Sequence, residues 1–190
     1  MSEADLSAMT HEPARPVPDP EVFADEAPRF WYALYTRPRH ERQVRDELLA
    51  YRIEAYLATH KVRRRWSDRY KIVEEPLFKN YLFVRVADGR YRESLKPYGA
   101  VAFVTAEAGK PAVIPDSEID AVRILVTSEL PHNPYPYLKV GRKVRVRYGP
   151  LEGCEGVLVR KRGIDRLVIT VNLLQRSLVA EVDAAWIEPL

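Results

Sequence analysis

Arginines dominate the residues of this sequence that are equipped for chemistry. Arg37, Arg39, Arg42 and Arg45 lie close together, and Arg42 and Arg45, three apart, become surface neighbours if the segment is helical. A guanidinium is a planar fork of N–H donors that suits phosphate oxygens and base edges alike. The set therefore reads either as an anion or nucleic-acid contact, or as a solvated helix face partly neutralised by Glu41, Asp46 and Glu47. A second set, Arg63, Arg64, Arg65, Arg69 and Lys71, surrounds Trp66 and Tyr70, whose rings are available for stacking. Groups for covalent or acid–base chemistry follow no such pattern. No paired carboxylates, nucleophile elbow or phosphate-binding glycine loop occurs, and His11, His40, His60 and His132 are scattered without metal-ligand spacing. Cys154, the single cysteine, has no neighbouring histidine or acid to activate it and reads as a small space-filling residue. The expectation is a binding protein, not an enzyme, with no metal or cofactor.

Elements with recognisable patterns must position these residues. Phe30 opens an aromatic and aliphatic run, WYALY, suited to a buried strand; Thr36 is a candidate helix cap and Pro38 suits a first turn. From Pro38 to about Arg52, His40, Val44, Leu48 and Tyr51 recur at helical spacing, with basic residues around the outside. Ala55–Thr59 reads as a strand, Arg63–Lys71 as a charged hairpin turning at Ser67-Asp68, and Ile72–Phe78 and Tyr81–Val86 as strands joined by Lys79-Asn80. Asn tolerates the positive φ that such a joint needs. Tyr81 and Phe83, two apart on one strand, share a face. A short helix over Gly89–Tyr98, strands at Ala100–Thr105 and Pro111–Ile114, and a helix opened by Pro115-Asp116-Ser117 complete the series. The last helix has Ile119, Val122, Leu125 and Val126 as its apolar stripe. The order βαβββαβα predicts an α+β domain with helices flanking an antiparallel sheet.

PHNPYPY, residues 131–137, holds three prolines and reads as a linker. Beyond Leu138 the short alternating runs KVRVR, EGVLVRKRG, RLVITVNLL and RSLVAEV predict a small all-β barrel. The expected division is a tail over 1–29, a first domain over 30–130, a linker over 131–138 and a barrel over 139–190.

The 190 residues carry a formal net charge of +3. That figure conceals a division, because residues 1–29 hold two arginines against seven acids, leaving the body with 28 cations and 20 anions. The tail, rich in proline and poor in large apolar residues, cannot offset its ordering entropy and reads as disordered. The basic body points to an anionic partner. No apolar stretch is long enough to span a membrane and no secretory signal pattern opens the chain, so a cytoplasmic protein is expected.

Two blocks carry a resemblance. VGRKVRVRYGPLEGCEGVLVRKRG resembles the KOW motif, and WYALYTRPRHERQV, EEPLFKNYLFVRV and YGAVAFVTAEAGKPAVIPDSEI together resemble the N-terminal domain of NusG-type transcription factors. Lys79-Asn80 stands where the family often has Pro-Gly, and Asn80 is the residue seen in specialised paralogues, so the chain looks most like the UpxY/RfaH-type antiterminators. The resemblance implies a factor that suppresses pausing and termination at specific long operons. It implies that Tyr81, Phe83 and Ile119 meet the clamp helices of the largest catalytic subunit of bacterial RNA polymerase. It implies further that Arg37, Arg39, Arg42 and Arg45 meet the non-template DNA strand, and that Leu151, Leu174 and Arg176 meet ribosomal protein S10 or termination factor Rho. A general housekeeping NusG factor and a ribosome-associated RNA-binding protein using Arg145, Arg147, Arg160, Lys161 and Arg162 are the alternative readings. RfaH-like factors hide their polymerase-binding surface under a helical form of the second domain; the glycines and β-branched residues here predict strands instead.

Overall fold

The computed structural model describes residues 27–66, 69–87, 89–106, 109–128, 130, 132–135, 141–161 and 164–190. The acidic tail up to residue 26, the Ser67-Asp68 turn and residues 136–140 of the expected linker lie outside the described residues.

Strand β1 (Arg29–Thr36) is apolar along nearly its whole length because both of its faces are covered. Trp31 and Ala33 point into one buried cluster, Tyr32 and Leu34 into another. Helix α1 (Glu41–Ala50) closes the second cluster through Val44 and Leu48, at the spacing expected. Strands β2 (Glu54–Tyr56), β5 (Tyr81–Ala87) and β6 (Ala100–Phe103) give the antiparallel sheet order β2-β5-β1-β6, and β7 (Val113–Ile114) pairs the same edge of β1 as β6. Helix α2 (Asp116–Thr127) lies on the other face and buries Ile119, Ala121, Val122 and Leu125. Strands β3 (Thr59–Trp66) and β4 (Arg69–Pro76) form a separate two-stranded ribbon.

Thr36 does not cap α1. The strand runs through it, Arg39 takes a left-handed φ of 66°, and the helix begins after His40 with no side-chain cap. Glu41 takes over that end: it is 6% exposed, sits in the first turn and accepts the Asn80 N–H at 2.9 Å. A carboxylate is favoured there by the partial positive charge of the helix N-terminus. The same bond holds the Lys79-Asn80 turn, where Asn80 has φ 67° as its residue type predicted. The expected helix over Gly89–Tyr98 is one 3₁₀ segment, Tyr91–Leu95.

The C-terminal region is all β. Strands β8 (His132–Tyr135), β9 (Arg142–Val146), β10 (Glu155–Lys161), β11 (Ile164–Val171), β12 (Arg176–Glu181) and β13 (Ile187–Pro189) pair in the order β13-β9-β10-β11-β12-β8. Strand β8 arises within the expected linker; its single proline, Pro134, is compatible with a sheet edge, where it pairs opposite Leu178. Among the described residues no pairing joins β13 to β8, so backbone hydrogen bonds run through six strands without closing them into a ring.

Candidate functional site

Alternation on β5 puts Tyr81 and Phe83 on one face, and α2 crosses that face with Ile119. The depth of the three differs. Phe83 is wholly buried, edge-on to Phe78 at 5.5 Å between centroids and stacked with Tyr56 at 6.2 Å, and Ile119 is equally buried. Tyr81 is half-buried, its ring 5.3 Å from that of half-exposed Tyr35. The three residues do not form an open depression. One buried cluster continues from Trp31, Phe83 and Ile119 into Val144, Leu151, Cys154, Leu167, Ile169 and Leu178 of the C-terminal sheet.

Polar contacts fix this seam. The Glu118 carboxylate on α2 accepts the Asn172 side-chain amide at 2.7 Å and its backbone N–H at 3.1 Å. The Cys154 thiol donates to the Ala121 carbonyl at 3.6 Å. Burial pushes that thiol up to about 12, so it stays protonated and serves as a donor, not a nucleophile. Arg176 holds its guanidinium 6.0 Å above the Tyr81 ring. Leu151, 2% exposed, lies inside the common cluster, and Leu174 packs against it. Tyr81, Phe83 and Ile119 on one side and Leu151, Leu174 and Arg176 on the other are thus brought together at a single interface, although the sequence places them on unrelated surfaces.

The arginines near α1 separate into two kinds. Arg42 donates to both the carbonyl and the carboxylate of Glu74 on β4, and Arg45 is held by Asp46. Arg37 instead donates to the Tyr98 hydroxyl at 2.9 Å, with His40 edge-on to the same ring at 5.6 Å, and no carboxylate pairs Arg37 or Arg39 among the described residues. Tyr98, 63% exposed, is a member of this group that sequence reasoning missed; an exposed ring beside the Arg37 guanidinium, 5.0 Å from its centroid, offers a stacking surface. Gly99 packs against His40 with φ 103°, and a Cβ there would lie 2.7 Å from the His40 Cβ. A second feature without sequence signal is Arg123, whose guanidinium sits 4.8 Å from the Trp31 ring and 5.0 Å from that of Tyr56. Burial pushes the Tyr56 hydroxyl up to about 12, and Arg123 opposes that shift.

His60 on β3 and His132 on β8 bring their rings to 6.1 Å. His132 Nδ1 lies 2.8 Å from the Leu130 carbonyl, while its Nε2 is buried without a partner among the described residues. Burial first, then the neighbouring His132, with Arg64 and Lys79 adding to it and Glu75 opposing, holds His60 below the ordinary histidine value of 6.5. A lowered value means that the unfolded chain binds the proton more readily. The contribution to stability is therefore complete above about pH 6.5 and is lost as pH falls through the lower folded-state value. We expect the thermal midpoint to fall between pH 7.5 and 5.5, and by less in His60→Gln; equal drops in both proteins would refute the assignment.

Residues 29–123 match the family model described as transcription termination factor nusG. Among solved structures, one described as "Domain interaction in Thermotoga maritima NusG" is 19% identical, covers 86% of this chain and 98% of its own, and superposes with a TM-score of 0.48. A second, an MjSpt4:Spt5 complex, is 15% identical, covers 84% of this chain and 97% of its own, and has a TM-score of 0.24.

Proposed function

Because the chain belongs to the NusG family of transcription factors, its family model covering residues 29–123, we propose that it binds the clamp of bacterial RNA polymerase and the non-template DNA strand and suppresses pausing and termination at specific long operons. The observation that supports this most is the paired concealment at the seam. Tyr81, Phe83 and Ile119 belong to one apolar cluster that continues into the C-terminal sheet, where the expected binding residues of that unit join them: Leu151 and Leu174 in the same cluster and Arg176 over the Tyr81 ring.

In this reading the C-terminal sheet, a KOW unit, acts as a removable cover. A partner that binds only the separated form draws the equilibrium toward it by its differential affinity. Occupation of one exposed face then makes the other available, and by linkage the two ligands favour each other equally. The separated C-terminal unit meets ribosomal protein S10 or Rho, and Arg37 with Arg39 and Tyr98 meets the exposed strand. Arg42 contributes less, since Glu74 already neutralises it.

Retention of core RNA polymerase by the full chain tests the reading. Tyr81→Ala should weaken retention by roughly tenfold or more, as an aromatic anchor does, with its thermal midpoint nearly unchanged. Undiminished retention by a folded Tyr81→Ala protein removes the proposal. Occupancy mapping across the genome then separates a factor confined to a few operons from a general one.

A further inference from the structure

The β3–β4 ribbon is not used by either sheet. Its two eight-residue strands pair only with each other, from Thr59 opposite Pro76 to Trp66 opposite Arg69. At about 3.3 Å per residue it is an arm of roughly 26 Å. A two-stranded ribbon with no third strand or covering helix is marginal on its own, so a sequence that keeps one has another use for it.

Its two faces differ. Direct antiparallel partners share a face, so Lys61, Arg63 and Arg65 stand with Glu74, Ile72 and Tyr70. On this face Ile72 is 66% and Tyr70 58% exposed, and the Arg63 guanidinium lies 4.0 Å from the Tyr70 ring centroid. On the other face Arg64 is held by both Glu75 oxygens, at 2.7 and 2.8 Å. The two acids of its strands are therefore engaged, Glu75 by Arg64 and Glu74 by Arg42; the third acid of the arm, Asp68, stands in the turn outside the described residues. Among the described residues no carboxylate pairs Arg63, Arg65 or Arg69.

We propose that this ribbon is a second nucleic-acid contact, separate from the Arg37 group, and that its ligand is duplex DNA. The major groove is wide enough for a two-stranded ribbon. Arg63 and Arg65, on the face of Ile72 and Tyr70, and Arg69, at the strand end on the other face, supply charge for the phosphates along its edges, while Ile72 and the Tyr70 ring suit the apolar thymine methyls on its floor. The Arg42–Glu74 link braces the arm against α1, so the arm and the Arg37 group are held on one body. The inference does not depend on polymerase binding.

Its test uses the full chain with a short duplex and with one of its strands alone, titrated over a series of salt concentrations. Combined Arg63→Ala, Arg65→Ala and Arg69→Ala should weaken duplex binding and reduce the slope of log K against log salt by roughly 2–3, at about 0.9 for each phosphate that is no longer neutralised. The corresponding triple lysine variant should restore the slope, because it keeps the charges. All three sites are exposed, so the thermal midpoint serves as the check on folding. An unchanged duplex slope overturns the proposal, as does a weakening confined to the single strand, which would make the arm a stacking surface for unpaired bases. Arg37→Ala, measured on the single strand, reports on the other site, so failure of one reading is distinguishable from failure of the other.

Discussion

Phe83→Ala is expected to lower the free energy of unfolding by about 3–5 kcal/mol, the range for removing a large aromatic from a packed core. The ring has no exposed surface and is enclosed by Phe78, Tyr56 and the α2 side chains, so truncation leaves a cavity that the neighbouring rings and a helix cannot easily fill. Tyr81→Ala, two residues away on the same face, should cost far less, because Tyr81 is half-buried and packs only at the margin of the cluster. Denaturant midpoints of the two variants at equal m-value make the comparison. The contrast has a functional consequence. Failure of Phe83→Ala to bind polymerase would reflect a damaged structure, whereas failure of Tyr81→Ala would report a direct contact. A Phe83→Ala protein as stable as the parent would mean that the β5 face is not packed as described.

The second large effect concerns the seam. Glu118→Ala removes an acceptor of two hydrogen bonds from Asn172, one to a side-chain amide and one to a backbone N–H. Such bonds to a charged group contribute about 1.5–3 kcal/mol when sheltered; this pair is partly exposed, so about 1–1.5 kcal/mol of the closed arrangement is at stake. That corresponds to a rise of roughly five- to tenfold in the separated population. The chain carries its own reporter, since Cys154 is its single cysteine, is fully buried and donates across the seam to Ala121. Thiol labelling under native conditions should therefore accelerate by about the same factor in Glu118→Ala, and by less in Asn172→Ala, which keeps the backbone N–H bond to Glu118. Polymerase retention should strengthen in parallel, because less of the binding free energy goes into opening. Labelling rates equal to that of the parent in both variants would show that these bonds do not hold the two units together.

Much of the first sheet was legible in the sequence for local reasons. Apolar residues at helical spacing located α1 and α2, the alternation on β5 placed Tyr81 and Phe83 together, and the residue type at Asn80 anticipated its positive φ. The end of β1 was misread because a threonine before a proline resembles a cap, while the helix start is in fact organised by Glu41 and the Asn80 turn, 39 residues apart. The linker composition likewise hid β8, whose pairing with β12 is a contact between distant segments.

What the sequence determined by itself is therefore what short-range geometry determines: periods of two and of 3.6 residues, turn chemistry, and a basic body beside an acidic tail. What only the tertiary structure decided is which of those surfaces is covered, and by what. Periodicity states that Tyr81 and Phe83 share a face and that Arg42 and Arg45 are neighbours. It carries no information on whether a C-terminal sheet joins the cluster that holds the first pair, or whether Glu74, 32 residues away, neutralises Arg42. Burial and charge compensation depend on contacts remote in the chain. Here they separate the half-covered Tyr81 from the core Phe83, and Arg37, which no carboxylate pairs among the described residues, from its neutralised neighbours.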